Sequence, residues 1–238
     1  MKILIVSQYF WPENFKINAL AEELYKRGNE VRVLTGLPNY PDGEVFKDFK
    51  KNKIAYDKFR NIYITRVPII PRGKNKFSLT INYLSFLLSA CIIGLWKLRN
   101  EKFDLIFTFQ TSPIFVGLVS AFISKFKKTY HAMWVLDLWP ETLEAVGVLK
   151  SKWKLELVRK LVLFIYKRCD IIYVQSKGFL ENISKYQLKK NIKIIYFPAW
   201  ADSELTIKEC SPAKEIKINK SVFTIIFAGN IGIAQDFN

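Results

Sequence analysis

Short apolar runs alternate with amphipathic helical stretches along most of the chain, and this alternation limits the possible folds more than any other feature. Ile3–Val6 is a continuous apolar run, which is typical of a strand buried on both faces of a parallel sheet. From Asn14 to Arg27 the apolar residues recur at helical spacing, and Gly28 then supplies a helix stop. A second strand follows at Val31–Leu34, so the chain begins with a predicted β-α-β unit.

The same alternation continues to about residue 200. Further predicted elements are strands at Asn61–Val67, Asp104–Phe109, His131–Leu136, Ile171–Val174 and Ile192–Phe197, and a helix at Trp153–Arg168. Strands separated by helices indicate an α/β fold with a mostly parallel sheet. We therefore expect residues 1–200 to form one Rossmann-like domain with helices on both faces of its sheet.

The pattern changes near the end of the chain. Residues 201–221 are polar and charged, which is typical of a linker, and Val222–Ala228 then begins a fresh strand. A strand followed by a glycine-containing turn needs a helix to cover the sheet. Residues 222–238 are therefore expected to be the truncated start of a second Rossmann-like domain. The alternative is that this last strand completes the first sheet.

The charge of the chain predicts an anionic partner. Lys and Arg number 37 against 21 Asp and Glu, a net charge of +16, and the excess is concentrated in Lys47–Lys76 and Lys150–Lys193. Such an excess suits nucleic acid, an anionic membrane or a phosphorylated substrate. No zinc-finger, RNP or KH-type pattern occurs, which disfavours nucleic acid. A single histidine excludes a multi-histidine metal site, and three scattered cysteines disfavour a zinc ribbon.

One apolar stretch raises the question of a membrane. Residues Phe77–Trp96 contain no charged side chain and are long enough to span a bilayer, which takes about 20 residues. Spanning would place the flanking β-α units on opposite sides of the membrane. We therefore expect an interfacial helix, flanked by cations, that attaches the protein to an anionic membrane surface. The alternative is the core face of an ordinary Rossmann helix.

Three segments follow predicted strands, where open α/β sheets bind ligands: Ser7–Asn14, Leu37–Gly43 and Trp134–Glu141. In the third, Asp137 ends a strand and Glu141 begins a helix. Carboxylates flanked by tryptophans can bind sugar hydroxyls while the indole rings stack on the sugar. Helix capping explains the two carboxylates equally well.

Six motifs, taken together and in this order, resemble glycosyltransferase family 4. They are Gln8–Phe15, Leu37–Pro41, Gln110–Pro113, Asp137–Glu141, Gln175–Phe179 and Gly229–Gly232. Within that family the chain is similar to enzymes of bacterial surface-polysaccharide synthesis, in the branch that includes fucosamine and colanic-acid type transferases. The resemblance covers essentially the whole chain.

The resemblance implies the GT-B architecture, in which two Rossmann-like domains face each other across a cleft. The chain would supply the N-terminal, acceptor-side domain. The implied reaction is retaining transfer of a sugar from a nucleotide sugar, expected to be a UDP-sugar, to a polyprenyl-diphosphate-linked acceptor. It would serve O-antigen, capsule or exopolysaccharide synthesis and use no metal or other cofactor. The implied location is the cytoplasm, peripherally attached to the inner face of the cell membrane.

The resemblance also implies roles for individual residues. Asp137 and Glu141 would be catalytic and face the acceptor or the transferred sugar. The residues expected to line the cleft are Tyr9, Pro12, Glu13, Asn14, Asn39, Tyr40 and Trp139. The residues that match the loop near the donor diphosphate are Gly229, Asn230 and Gly232. His131, inside a predicted strand, is interpreted as a core residue.

In the family, the nucleotide pocket lies beyond the point at which this sequence stops. By resemblance, the chain alone is therefore expected to be inactive unless a separate donor-domain polypeptide completes it. The alternative function is a catalytically dead remnant or a non-catalytic subunit that binds the membrane surface.

Overall fold

The strands form one eight-stranded sheet in a computed structural model, which describes residues 1–73, 75–186, 188, 190–201, 221–223, 225 and 227–229. They are β1 (Lys2–Val6), β2 (Glu30–Gly36), β3 (Lys58–Phe59), β4 (Ile62–Val67), β5 (Leu105–Gln110), β6 (Tyr130–Val135), β7 (Ile171–Val174) and β8 (Lys193–Tyr196). The order across the sheet is β3-β4-β2-β1-β5-β6-β7-β8. Every neighbouring pair is parallel except β3 and β4, which confirms the predicted mostly parallel α/β sheet.

Helices cover both faces of the sheet, as predicted. They are α1 (Lys16–Lys26), α2 (Lys47–Lys51), α3 (Lys76–Ser89), α4 (Leu95–Lys97), α5 (Phe115–Lys127), α6 (Glu141–Ala145), α7 (Lys152–Tyr166) and α8 (Lys177–Ser184). A 3₁₀ turn spans Ile54–Tyr56, and a π-helical segment at Ala90–Gly94 joins α3 to α4. Helix α1 packs on one face, whereas α3, α5, α7 and α8 pack on the opposite face.

Strand β1 is buried on both sides because it lies in the middle of the sheet. Ile3 and Ile5 belong to the core under α1, and Leu4 and Val6 belong to the core under α3 and α5. Burial of the whole strand explains why its sequence is continuously apolar instead of alternating.

The long apolar helix built from α3, the π segment and α4 is part of this domain. Its stretch Phe77–Lys97 is long and apolar enough to cross a membrane, with a mean hydropathy of 1.7. One side of the helix packs on the sheet through Asn82, Phe86 and Ala90, all of which are buried. Most of the helix surface faces outwards, since only 22% of its most apolar window is buried in the domain.

Strand β3 and helix α2 are among the elements that the sequence pattern did not predict. Strand β3 has two residues and pairs with the edge of β4, and α2 is a five-residue helix beside it. Both are too short to show a period of their own.

The end of the chain is described only in part. Residues 201 and 221–229 are covered with gaps, and none of the described residues among 221–229 belongs to the eight-stranded sheet. The predicted linker at 201–221 and the second domain at 222–238 lie mostly outside the described residues, so both stay predictions.

Candidate functional site

The loops at the carboxyl ends of the strands form the candidate site. Strand β1 pairs with β2 on one side and with β5 on the other, so the strand order reverses between β1 and β5. Open α/β sheets bind ligands in the crevice at such a reversal, outside the carboxyl ends of the strands. The loops that follow β1, β2, β4, β5 and β6 emerge at this edge.

Glu13 connects the loop after β1 to the loop after β2. Its Oε1 accepts hydrogen bonds from the backbone N–H groups of Asn39 (2.8 Å) and Tyr40 (2.7 Å). Its Oε2 accepts a third from the N–H of Phe10 at 3.2 Å. Burial raises the pKa of the carboxyl group, and the three backbone donors oppose this shift. Glu13, predicted to line the cleft, is therefore buried and holds the loops in place.

Asn39 fixes the loop after β4 in the same way. Its Oδ1 accepts a hydrogen bond from the backbone N–H of Arg72 at 3.0 Å, and its Nδ2 donates to the carbonyl of Leu37 at 2.9 Å. The side chain is fully buried. Like Glu13, Asn39 supports the shape of the site from beneath.

A buried polar pair connects β1 to the long helix. Gln8 is the second residue after β1, and its Nε2 donates to Oδ1 of Asn82 in α3 at 2.8 Å. Asn82 Nδ2 then donates to the carbonyl of Ile70, in the loop after β4, at 2.6 Å. Buried polar groups of this kind are costly unless they are paired, and here each satisfies the other.

Aromatic rings and a cation line the edge of the sheet above these contacts. The Tyr9 ring stacks on Phe15 with 5.5 Å between centroids, and Tyr40 packs against both rings. The Arg72 guanidinium lies over the Tyr40 ring, 4.9 Å from its centroid. Burial raises the pKa of the Tyr9 and Tyr83 hydroxyls, and the nearby charge of Arg72 opposes both shifts.

Asp137 approaches this group from the loop after β6. Its Oδ2 accepts a hydrogen bond from the Trp139 indole N–H at 3.1 Å. Among the described residues, its Oδ1 has no hydrogen-bond partner. The Asp137 charge also contributes to the raised pKa of Tyr83 in α3. Trp139 thus holds Oδ2 of Asp137, and Oδ1 is available to bind a ligand.

Glu141 is the first residue of α6. Its Oε2 is buried and has no hydrogen-bond partner among the described residues. Burial raises the pKa of the neighbouring Tyr186 to about 12, and the charge of Glu141 adds to that shift. Burial also raises the pKa of Tyr166, where the charge of Glu141 adds to the shift, and the charge of Asp137 adds to the shifts of both Tyr83 and Tyr166.

Comparison with known proteins decides the family. The model of glycosyltransferase family 4 matches residues 17–198, which is most of the chain and includes the loops after β2, β4, β5 and β6. The chain belongs to glycosyltransferase family 4. Comparison with curated proteins gives no match.

Solved structures agree with the fold of this family 4 glycosyltransferase. Apo UGT2 of Phytolacca americana matches with a TM-score of 0.53 and 12% identity, over 85% of this chain and 53% of that chain. UGT73P12 of Glycyrrhiza uralensis, complexed with glycyrrhetinic acid 3-O-monoglucuronide, matches with a TM-score of 0.50 and 12% identity, over 82% and 48%. The predicted Rossmann-like half of a GT-B fold is confirmed, and the chain spans about half the length of these structures.

The remaining predicted residues of the glycosyltransferase occupy different places. Pro12 is half-buried beside the β1 loop, and Asn14 is exposed. Asn14 is not the cap of α1, because Phe15 holds that position. Gly229 is exposed, and Asn230 and Gly232 lie outside the described residues. No group of three metal-ligating side chains occurs in the part of the chain that the structure describes.

Three residues of the candidate site were not predicted from the sequence. Asn82 and Tyr83 lie within the apolar helix, where the pattern favoured a membrane surface. Arg72 was counted only as part of a basic segment. Asn82 carried the one available signal, since a carboxamide in an otherwise apolar helix needs a buried partner.

Proposed function

We propose that this chain is the acceptor-binding part of a retaining glycosyltransferase that acts on a polyprenyl-diphosphate-linked sugar at the cytoplasmic face of the membrane. The donor would be a nucleotide sugar, expected to be a UDP-sugar, bound by a donor domain beyond or separate from this chain. Family membership supports sugar transfer in general. The proposed acceptor and location depend on one observation, an exposed apolar and cationic face beside the site.

This face is formed by the neighbouring helices α3, α5 and α7, together with α4. The side chains of Phe77, Leu88, Ile92 and Trp96 on the long helix are mostly exposed, as are those of Phe126 on α5 and Trp153 on α7. Monomeric soluble proteins rarely expose so many large apolar side chains on neighbouring elements. We call this surface the α3–α7 face.

The charges of the α3–α7 face suit an anionic membrane. The segments Lys76–Lys97 and Phe115–Lys127 contain no acidic residue, and α7 contains only Glu156. Cations accompany the exposed rings, as where Arg99 lies 4.4 Å from the centroid of the Trp96 ring. Aromatic and basic side chains together are typical of surfaces that lie at the headgroup level of a bilayer. A lipid-linked acceptor would be presented there.

The site supports a specific role for Asp137. In the proposed reaction the acceptor hydroxyl attacks the anomeric carbon, the bond from that carbon to the nucleotide phosphate breaks, and the nucleoside diphosphate leaves. The available Oδ1 of Asp137 would accept a hydrogen bond from the attacking hydroxyl and then take its proton as the new bond forms. Trp139 holds the other oxygen and so fixes the direction of the carboxylate. Because Oε2 of Glu141 is buried, the residue would contact the transferred sugar through Oε1, the other oxygen of its carboxylate.

The test is sugar transfer by a completed enzyme, in which a donor domain is supplied to this chain. We expect Asp137→Ala to lower transfer to a polyprenyl-diphosphate-linked sugar by about 100-fold or more, the lower range for a positioned acid or base. Asp48→Ala, at an exposed position on α2, is the matched control and should leave the rate unchanged. Circular dichroism would show that both variants fold.

Other outcomes would contradict parts of the proposal. Full activity of Asp137→Ala would remove Asp137 from the catalytic site. Transfer to soluble sugars but not to the lipid-linked acceptor would overturn the proposed acceptor. No transfer with any donor domain, together with retained membrane binding, would favour the non-catalytic membrane-surface protein.

A further inference from the structure

A groove on the α3–α7 face runs beside the candidate site. It has a volume of about 430 Å³, within the size range of small-molecule sites. Its lining consists of Pro68, Ile69, Ile70, Ser85, Leu88, Ser89, Ile92 and Ile93. One wall comes from the loop after β4, and the other comes from α3 and the π-helical segment. The lining is predominantly apolar.

Hydrogen bonds connect the groove to the site. The carbonyl of Ile70 accepts from Asn82 Nδ2 at 2.6 Å, and the N–H of Ile70 donates to Ser85 Oγ at 2.9 Å. Asn82 in turn accepts from Gln8 in the loop after β1. The same loop residue thus forms the wall of the groove and contacts the polar pair beneath the site.

Arg72 is two positions along the chain from Ile70, which lines the groove. Their Cα atoms are therefore about 7 Å apart at most. The Arg72 guanidinium contacts the Tyr40 ring and forms no ion pair with any described carboxylate. Its backbone is fixed by Asn39. A guanidinium with free donors, held at a fixed position, is well suited to bind phosphate oxygens.

One wall of the groove faces outwards. Leu88 and Ile92 belong to this wall and are among the most exposed apolar side chains of the long helix. The groove is therefore continuous with the apolar surface at Leu88 and Ile92, and its other wall is close in sequence to the cation Arg72. A ligand that fits this polarity has a hydrocarbon chain and an anionic head.

We propose that this groove binds the first part of the prenyl chain of the acceptor, and that Arg72 binds the acceptor's diphosphate. The inference rests on the proposed function, because it takes the acceptor to be lipid-linked. It assigns the sugar to the edge of the sheet that carries Tyr9, Tyr40 and Asp137.

Photolabelling of the full chain tests this placement. The probe is farnesyl diphosphate with a diazirine on its hydrocarbon chain, and peptide mapping locates the labelled residues. We expect saturable labelling within the peptide that contains Leu88 and Ile92. Unlabelled farnesyl diphosphate should compete more strongly than farnesol or inorganic diphosphate, because each of these lacks half of the ligand.

Two variants distinguish binding of the prenyl chain in the groove from binding of the diphosphate by Arg72. Arg72→Gln should raise the concentration of farnesyl diphosphate needed for half-maximal competition by about tenfold, the loss expected for a charge-assisted hydrogen bond, and leave farnesol unchanged. Ser89→Phe should fill the groove and weaken competition by both compounds. Arg27→Gln, at an exposed position at the end of α1, is the matched control. Thermal unfolding would show that each variant is folded.

The outcomes distinguish this inference from the proposed function. Saturable labelling at peptides outside the groove would contradict prenyl binding in the groove, but it would not contradict the proposed lipid-linked acceptor. Equal competition in Arg72→Gln and the unchanged chain would overturn the role of Arg72. If the completed enzyme transfers sugar to the lipid-linked acceptor while the chain shows no saturable labelling, the inference fails and the proposed function holds.

Discussion

His131 shows how one buried side chain can control stability at low pH. Its Nε2 lies 2.8 Å from the Thr108 hydroxyl, and its Nδ1 lies 3.2 Å from the carbonyl of Arg168. The imidazole is almost fully buried, and burial lowers its pKa to about 4. This position in the core agrees with the interpretation from sequence.

The stability of the protein should therefore fall on acidification through this range. Between the unfolded pKa of about 6.5 and the folded pKa of about 4, the unfolded chain binds the proton more tightly. The contribution of His131 is complete above pH 6.5 and is lost as the pH falls towards 4, a change of about 3 kcal/mol. Urea unfolding of the unchanged chain and of His131→Gln across this range would measure it. Parallel stability curves for the two proteins would contradict the prediction.

The residues of the site were predictable by position but not by role. Tyr9, Tyr40 and Asp137 follow strands, and the structure places them at one edge, as the rule for parallel sheets requires. Glu13 and Asn39 follow strands too, yet their polar atoms bind backbone groups of neighbouring loops. Which N–H groups a loop leaves unpaired depends on its three-dimensional path, and a single sequence does not show that path.

At the scale of elements, two helices end in the same left-handed conformation with different residues. Gly28 follows α1 with φ of +83°, and nothing would contact a Cβ atom built there. Lys128 ends α5 with φ of +51°. The left-handed region costs an ordinary residue roughly 1–2 kcal/mol, and glycine avoids that cost.

Opposite substitutions at these two positions should have opposite effects. Gly28→Ala should lower the free energy of unfolding by about 1 kcal/mol, because strain is its only cost. Lys128→Gly should raise it by about 0.5 kcal/mol, since the relief of strain exceeds the added entropy of the unfolded chain. Urea unfolding of both variants would measure the changes. Destabilisation by Lys128→Gly would mean that the lysine side chain contributes more than its backbone costs.

Elements with a strong hydrophobic period were predictable from the sequence. Elements that depend on contacts with other parts of the fold were not. The predicted strands at Asn61–Val67 and Ile171–Val174 match β4 and β7 closely. The π-helical segment at Ala90–Gly94 has no period of its own, because one extra residue in a turn leaves the local composition unchanged. Gly94 there lies against Leu34 of β2, a contact that only the folded sheet defines.

At the scale of the whole molecule, charge and apolar surface act together on the α3–α7 face. Each cation near an anionic surface contributes about 1 kcal/mol, and the exposed rings add burial once the surface is reached. The net charge of +16 therefore favours approach of the protein to an anionic membrane, and the α3–α7 face determines its orientation there.

Membrane binding should depend on both salt and a specific face. Binding to phosphatidylglycerol vesicles should weaken steeply between roughly 0.1 M and 1 M salt, as the Debye length falls from about 10 Å to about 3 Å. Ile92→Glu should weaken vesicle binding by about tenfold or more, because a buried isoleucine is worth roughly 1.5–3 kcal/mol. Ile54→Glu, at an even more exposed isoleucine away from this face, is the matched control. Vesicle sedimentation would measure the salt dependence of binding and the binding of both variants.

Either of two results would contradict this orientation. Equal losses in Ile92→Glu and Ile54→Glu would mean that binding is not specific to the helix face. Binding that does not change with salt would instead indicate true insertion of the long apolar helix.

The strand order also has a consequence for synthesis on the ribosome. Strand β1 lies in the middle of the sheet, and its residue Ile3 pairs with Leu105 of β5, which is made much later. At roughly 5–20 residues per second, the emerging chain carries an unpaired, fully apolar strand edge for roughly 5–20 s. The long apolar helix is translated within that interval, between β4 and β5. Until the second half of the sheet is made, this unpaired edge and the apolar helix expose the nascent chain to association with other chains.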